Sequence, residues 1–157
     1  MHIRLLEKHD QLHVEHMMAG HPLQFPPFII EKYPERWQAF LTVQNNKQCG
    51  YYVALANSGD VVGHAGYLLN EELALYEIVG VAVSQKNQRQ GIGRVLIDHI
   101  CSKISELGMN QVILYTLGHA GNEETLSFYR GIGFEMMNFE NDFFRTDFHR
   151  VTFVKAL

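Results

Sequence analysis

The run Gln88-Arg89-Gln90-Gly91-Ile92-Gly93 puts two glycines at the start of the most regular helical pattern in the chain. Glycine lets backbone N–H groups come close to an anion, and a helix N-terminus adds a favourable dipole. Arg89 and Arg94 bring positive charge to the same place, so the run is suited to an anion such as phosphate. Two nucleotide motifs are excluded. A dinucleotide fingerprint starting at Gly91 needs a small residue where Leu96 stands. A P-loop needs Gly-Lys-Ser/Thr, which is missing. By itself, a Gly-x-Gly at a helix start serves a tight turn equally well.

A second segment, Asn122-Glu-Glu-Thr-Leu126-Ser-Phe128-Tyr129-Arg130-Gly131-Ile132-Gly133-Phe134, adds a matching pattern. Tyr129 follows Asn122 by seven residues, and Gly133 and Phe134 follow Tyr129 by four and five. This spacing resembles one signature of the GNAT N-acetyltransferase superfamily. Residues 88–93 resemble that family's Arg/Gln-x-x-Gly-x-Gly/Ala loop in its rarer Gln form. The order of elements is similar as well, so the resemblance covers residues 2–154.

The resemblance implies acyl transfer from acetyl-coenzyme A to an amine. It requires a held donor, a neutral amine, a polarised carbonyl and a protonated leaving thiolate. The donor's pantetheine arm is expected beside Val81-Ala82-Val83, pairing with strand backbone, with the Val81 N–H aimed at the thioester oxygen. The diphosphate is expected on the amides of Gln88, Arg89, Gln90, Gly91, Ile92, Gly93 and Arg94. Tyr129 is the expected general acid, since a phenol stays protonated at neutral pH. The alternative for it is a helix tyrosine packing near Phe134. Asn122 reads first as a helix N-cap, and a coenzyme A contact comes second. Glu77 is the expected base: Glu77-Ile78-Val79-Gly80-Val81-Ala82-Val83 resembles the glutamate-bearing strand of histone-acetylating members. Strand alternation would set Glu77 on one face with Val79, Val81 and Val83, where partial burial raises a carboxyl pKa. A carboxylate on the strand's rim, or one that only binds a cation, is the alternative.

These residues need elements to hold them. Residues 2–7 alternate as a strand and 10–19 form a short helix. His21 to Pro27, with Pro22, Pro26 and Pro27, reads as a loop. A helix over 34–44, a hairpin over 51–56 and 61–68, and a long strand over 73–83 follow. Ile92, Leu96, Ile100, Ile104 and Leu107 repeat at helical spacing before Gly108. A strand over 111–116, a helix over 122–130 and strands over 134–139 and 150–154 complete the order. The strand–helix–strand from 73 to 116 implies a parallel pair with a crossover. The expected fold class is α/β, a mixed sheet of about seven strands with helices on both faces, as one domain over 1–157.

The acceptor pocket is expected from residues 20–37 and 138–148, with Phe25, Phe28, Trp37 and Glu140 as lining. Aromatics beside carboxylates could hold a cationic amine, or form an edge that dimerises. His9, His13 and His16 have metal-like helical spacing, yet no Cys or acidic partner is fixed, so no metal is expected. A net charge of −4 without a Lys/Arg run gives no reason to expect nucleic acid. Two cysteines without a CxxC indicate neither a disulfide framework nor zinc. The first residues are too mixed for a signal peptide, and no apolar run approaches the roughly 18 residues of a membrane span. A cytoplasmic enzyme using acetyl-CoA on a small-molecule amine is therefore the expectation. A protein or peptide acceptor is the alternative, followed by a non-catalytic coenzyme A-binding module.

Overall fold

The computed structural model describes residues 1–118 and 121–157. Its strands are β1 (His2–Leu5), β2 (Cys49–Leu55), β3 (Val61–Asn70), β4 (Leu75–Val83), β5 (Gln111–Leu117), β6 (Glu135–Arg145) and β7 (Phe148–Ala156). Its helices are α1 (Gln11–Ala19), α2 (Pro27–Ile30), α3 (Tyr33–Val43), α4 (Ile92–Glu106) and α5 (Glu123–Gly131). The seven strands form one sheet in the order β1-β2-β3-β4-β5-β7-β6. All neighbours are antiparallel except β4 and β5, which run parallel through the α4 crossover. The fold is the expected α/β mixed sheet, and none of the described helices is long and apolar enough to cross a membrane.

Helices cover both faces because strand side chains alternate. On β2, Tyr52 and Ala54 join the cluster under α4 and α5, while Tyr51 and Val53 join the cluster under α1 and α3. One face of α4 is a buried apolar stripe. Leu96, Ile97, Ile100 and Ile104 are fully buried on it, each adding about 1.5–3 kcal/mol over exposure.

Two segments differ from the sequence-based expectation. The proline-rich stretch contains the one-turn helix α2, with Pro27 at its start, where a missing N–H costs nothing. The last strands run on to Arg145 and back from Phe148 as one long hairpin, with register breaks between Met136 and Asn138 and between Glu140 and Arg145.

Candidate functional site

β4 and β5 are paired only from Tyr76–Val112 to Ile78–Leu114 and then separate. Both strands continue, β4 to Val83 and β5 to Leu117, so a wedge opens between them. Two clefts meet there. One of about 420 Å3 is lined by Glu77, Tyr33, Arg36 and Arg150 among others. The other, of about 440 Å3, is lined by Gln88, Arg89, Gly91, Gly93 and Arg94. Gln24, Val81 and Tyr129 line both.

In the second cleft the sequence-predicted loop is brought to the start of α4. Gly91 has φ +80° at the N-cap position, and a Cβ added there would meet nothing within 4 Å. Arg89 is also left-handed, at φ +63°, an uncommon conformation for a non-glycine residue. Arg89 pairs with Glu124 at 3.1 Å, but both side chains are almost fully exposed, so the pair is weak. Gln88, Gln90 and Arg94 are exposed, and Ile92 is buried as the first core residue of α4. The open amide end of a 15-residue helix can take an anion.

β4 carries an irregularity that alternation alone does not foresee. Gly80 lies at φ +65°, and Gly80 and Val81 together oppose Ala65, a β-bulge between the Gly66–Val79 and His64–Ala82 pairs. The extra residue reverses the alternation. Val81 therefore packs with Ile78 under α4, and Val79 with Ala82 under α1 and α3. This corrects the single face expected for Glu77, Val79, Val81 and Val83. Val83 is half-buried, and its carbonyl accepts from His21 at 2.6 Å, while the Val81 carbonyl accepts from Gln24 at 3.1 Å.

His64, on β3, fixes the bulge from behind. Its side chain is fully buried. The Trp37 indole N–H donates to His64 Nε2 at 3.1 Å, so His64 Nδ1 must carry the proton and donate to the Gly80 carbonyl at 2.7 Å. Burial lowers the His64 pKa to about 4, and the Gly80 bond only partly opposes that. The imidazole is thus a neutral spacer between Trp37 and the bulge. Trp37, expected in the acceptor pocket, is instead wholly buried and spent on this contact. The α3 period puts it one turn from Tyr33 and Phe40 on the inward face.

Glu77 is half-buried at the rim of the first cleft. Burial raises its pKa; Arg36 is the strongest opposing influence, followed by a long 3.5 Å bond from Asn70 and by Arg150 and Lys32. Tyr129 is buried against Phe128, Phe134 and Phe153. Burial pushes its phenol pKa well above the ordinary value. Its hydroxyl has no hydrogen-bond partner among the described residues. Tyr33, in the 20–37 stretch expected to build the acceptor pocket, lines the first cleft, with its pKa raised to about 12 by burial.

Asn122 stands at the N-cap of α5, but its side chain makes no cap bond. Its amide donates to the Leu117 carbonyl at the end of β5, in a buried setting. It thus ties α5 to the open side of the wedge.

The stretches expected to build an acceptor pocket differ most from the expectation. Phe25 lines the first cleft. Phe28 does not; it packs at a tilt on Phe144 and edge-to-face on Phe148, and carries the Arg145 guanidinium at 4.4 Å. Glu140 is not a free carboxylate, because Arg150 holds it at 2.8 Å across the β6–β7 pair. His9 lies before α1 beside Glu7 and Asp10, so it does not share one helix with His13 and His16. Asp142, Asp147 and His149 come close at the hairpin end. Two of their atoms already accept backbone N–H bonds, His149 Nδ1 from Asp142 and Asp142 Oδ1 from Asp147.

Residues 14–134 match the Acetyltransferase (GNAT) family. The chain is 27% identical over 116 residues to YvbK of Bacillus subtilis (strain 168), described as an uncharacterized N-acetyltransferase. That similarity takes in 74% of this chain and 64% of YvbK, less than two thirds of its length. Among solved structures, one assigned to the GNAT acetyltransferases of Desulfovibrio desulfuricans superposes with a TM-score of 0.87, over 99% of this chain and 98% of that one, at 20% identity. An aminoglycoside 6'-N-acetyltransferase complexed with coenzyme A superposes with a TM-score of 0.78, over 99% and 97%, at 13% identity. At these identities the structural likeness is one of fold.

Proposed function

Since the chain belongs to the GNAT acetyltransferase family, we propose that it transfers the acetyl group of acetyl-coenzyme A to a primary amine of a small molecule. The observation that carries this reading is the wedge. Strands β4 and β5 part after Ile78 and Leu114, with the open amide loop on one side and a cleft containing Glu77 on the other. An extended thioester fits that arrangement, with its diphosphate on the amides of Arg89 to Arg94. Its arm lies along Val81-Ala82-Val83 as an added strand. The Gln24 and His21 bonds leave each accepting carbonyl a second lone pair for the arm.

The chemistry follows from the two clefts. Glu77, made more basic by burial, takes a proton from the acceptor ammonium, directly or through one water. The freed lone pair attacks the thioester carbon. The carbonyl electrons move onto oxygen, which the Val81 N–H at the bulge receives. Collapse of the tetrahedral centre breaks the C–S bond, and the Tyr129 hydroxyl protonates the departing thiolate. The second proton of the acceptor nitrogen passes through solvent to the resulting phenolate, which leaves a neutral amide and a restored Tyr129.

The test is Glu77→Gln, assayed by released thiol. Turnover should fall by about 10²-fold at pH 7, within the range of general-base assistance, and recover partly as pH rises and the amine loses its own proton. Acetyl-coenzyme A should raise the melting temperature of variant and native protein alike. An equal loss at every pH removes Glu77 from the base role.

A further inference from the structure

The proposed acceptor cleft is built against a polycation. Its aromatic faces are the surfaces on which an ammonium would rest, and the chain's own cations already cover them. Lys32 lies over Phe144 at 5.6 Å, Arg36 over Tyr33 at 5.2 Å, and Arg150 over Phe143 at 3.7 Å and Tyr115 at 4.2 Å. Arg145 covers neighbouring Phe28. Lys32, Arg36 and Arg150 all line the cleft, against Glu72 and Glu77. Arg150 is held by Glu140. Neither Lys32 nor Arg36 has a carboxylate within 4.0 Å among the described residues. Glu77 must stay free to take a proton, so it cannot be spent on them.

A molecule with a second ammonium would bring it against these cations. A molecule with a carboxylate beside its amine completes them. Arg36 is half-buried, and an arginine in that position forms charge-assisted, bidentate bonds to a carboxylate. Phe25, Ile29, Phe143 and Phe144 line the same space and would contact an apolar body.

Resting on the acetyltransferase reading, we propose that the acceptor is a zwitterionic amine with an apolar body. Its ammonium faces Glu77 and its carboxylate faces Arg36 and Lys32.

Two matched pairs test this: phenylalanine against phenethylamine, and 6-aminohexanoate against hexylamine, with spermidine as the polycation. Each is assayed with acetyl-coenzyme A by released thiol. In at least one pair the carboxylate-bearing member should have the higher kcat/KM, by about 10- to 100-fold, the scale of one charge-assisted contact. Arg36→Gln should collapse that ratio toward one, chiefly through KM. Its effect on the Glu77 field acts on both members of a pair and cancels in the ratio. A ratio at or below one in both pairs overturns the proposal, as does spermidine as the best acceptor or a ratio unchanged in Arg36→Gln. No transfer to any of the five, while acetyl-coenzyme A still raises the melting temperature, also overturns it and leaves the donor site standing. If acetyl-coenzyme A gives no thermal shift, the acetyltransferase reading itself fails.

Discussion

His64 ties the bulge to the acid stability of the protein. Its folded pKa is near 4, against an ordinary 6.5. Above pH 6.5 the ring is neutral in both folded and unfolded chains, and it contributes nothing to the pH dependence. As pH falls below 6.5, the unfolded chain takes up a proton that the folded one refuses. Stability is therefore lost as pH falls and levels off below about 4. The whole difference is worth about 3 kcal/mol, at 1.36 kcal/mol per pH unit. His99, also lowered by burial, adds to the loss, whereas Glu77, raised by burial, opposes it. Asp10 has a lowered pKa, so its contribution is lost only below its unfolded value of 3.8. A variant isolates His64 from these groups. In His64→Gln the amide can still donate to Gly80 but does not titrate. The chain's one tryptophan, Trp37, is buried against His64 and reports unfolding by fluorescence. Urea midpoints at pH 7.5, 6.5, 5.5 and 4.5 should show the native protein losing about 2.5 kcal/mol more than His64→Gln, most of the whole difference. Parallel curves for the two proteins would refute the assignment of a neutral, buried imidazole.

Other substitutions separate backbone, packing and chemistry. Gly91→Val should cost about 1–2 kcal/mol of stability from its positive φ alone, because its Cβ meets no protein atom. It should nonetheless abolish most of the thermal shift from acetyl-coenzyme A by crowding the amides. Gly80→Ala combines φ +65° with a Cβ only 2.9 Å from His64 Cε1 and Tyr33 Cε1, so chemical denaturation should show a loss of about 3 kcal/mol. Tyr129→Phe keeps the ring that packs on Phe134 and Phe153 and removes only the hydroxyl. Its turnover should fall by about 10²-fold while its melting temperature stays near native. Native-like turnover on a verified acceptor would remove Tyr129 from the acid role.

The glycine loop and the helix behind it were legible because their signals are local. Gly91 and Gly93 precede an apolar stripe of period 3.6, and the stripe fixes α4 and therefore the loop before it. The parallel pair followed from the crossover length. The bulge left a trace too: Gly80 is an isolated glycine inside a strand pattern, which marks such an irregularity. Its consequence, the transfer of Val81 to the other face, depends on which β3 residue lies opposite. No pattern within β4 carries that. His64 and Trp37 are 27 positions apart, and nothing in either segment says that one accepts from the other.

The cleft lined by Glu77 was least legible because charges there are settled by register. Glu140 and Arg150 look like separate resources in the sequence. The β6–β7 hairpin makes them cross-strand partners, and the break after Glu140 decides that they meet. Once Arg150 is engaged by Glu140 and laid over Phe143 and Tyr115, aromatics that suggested a cationic guest become supports for the protein's own cations. The same residue types thus support opposite electrostatics, depending on pairing. Glu77 gains from the arrangement. Arg36, Arg150 and Lys32 each oppose the upward push of burial on its carboxyl. A base that must be deprotonated at neutral pH inside a half-buried cleft requires that balance. In the proposed reading, the cations that select the acceptor are therefore also those that keep Glu77 ready to act as the base.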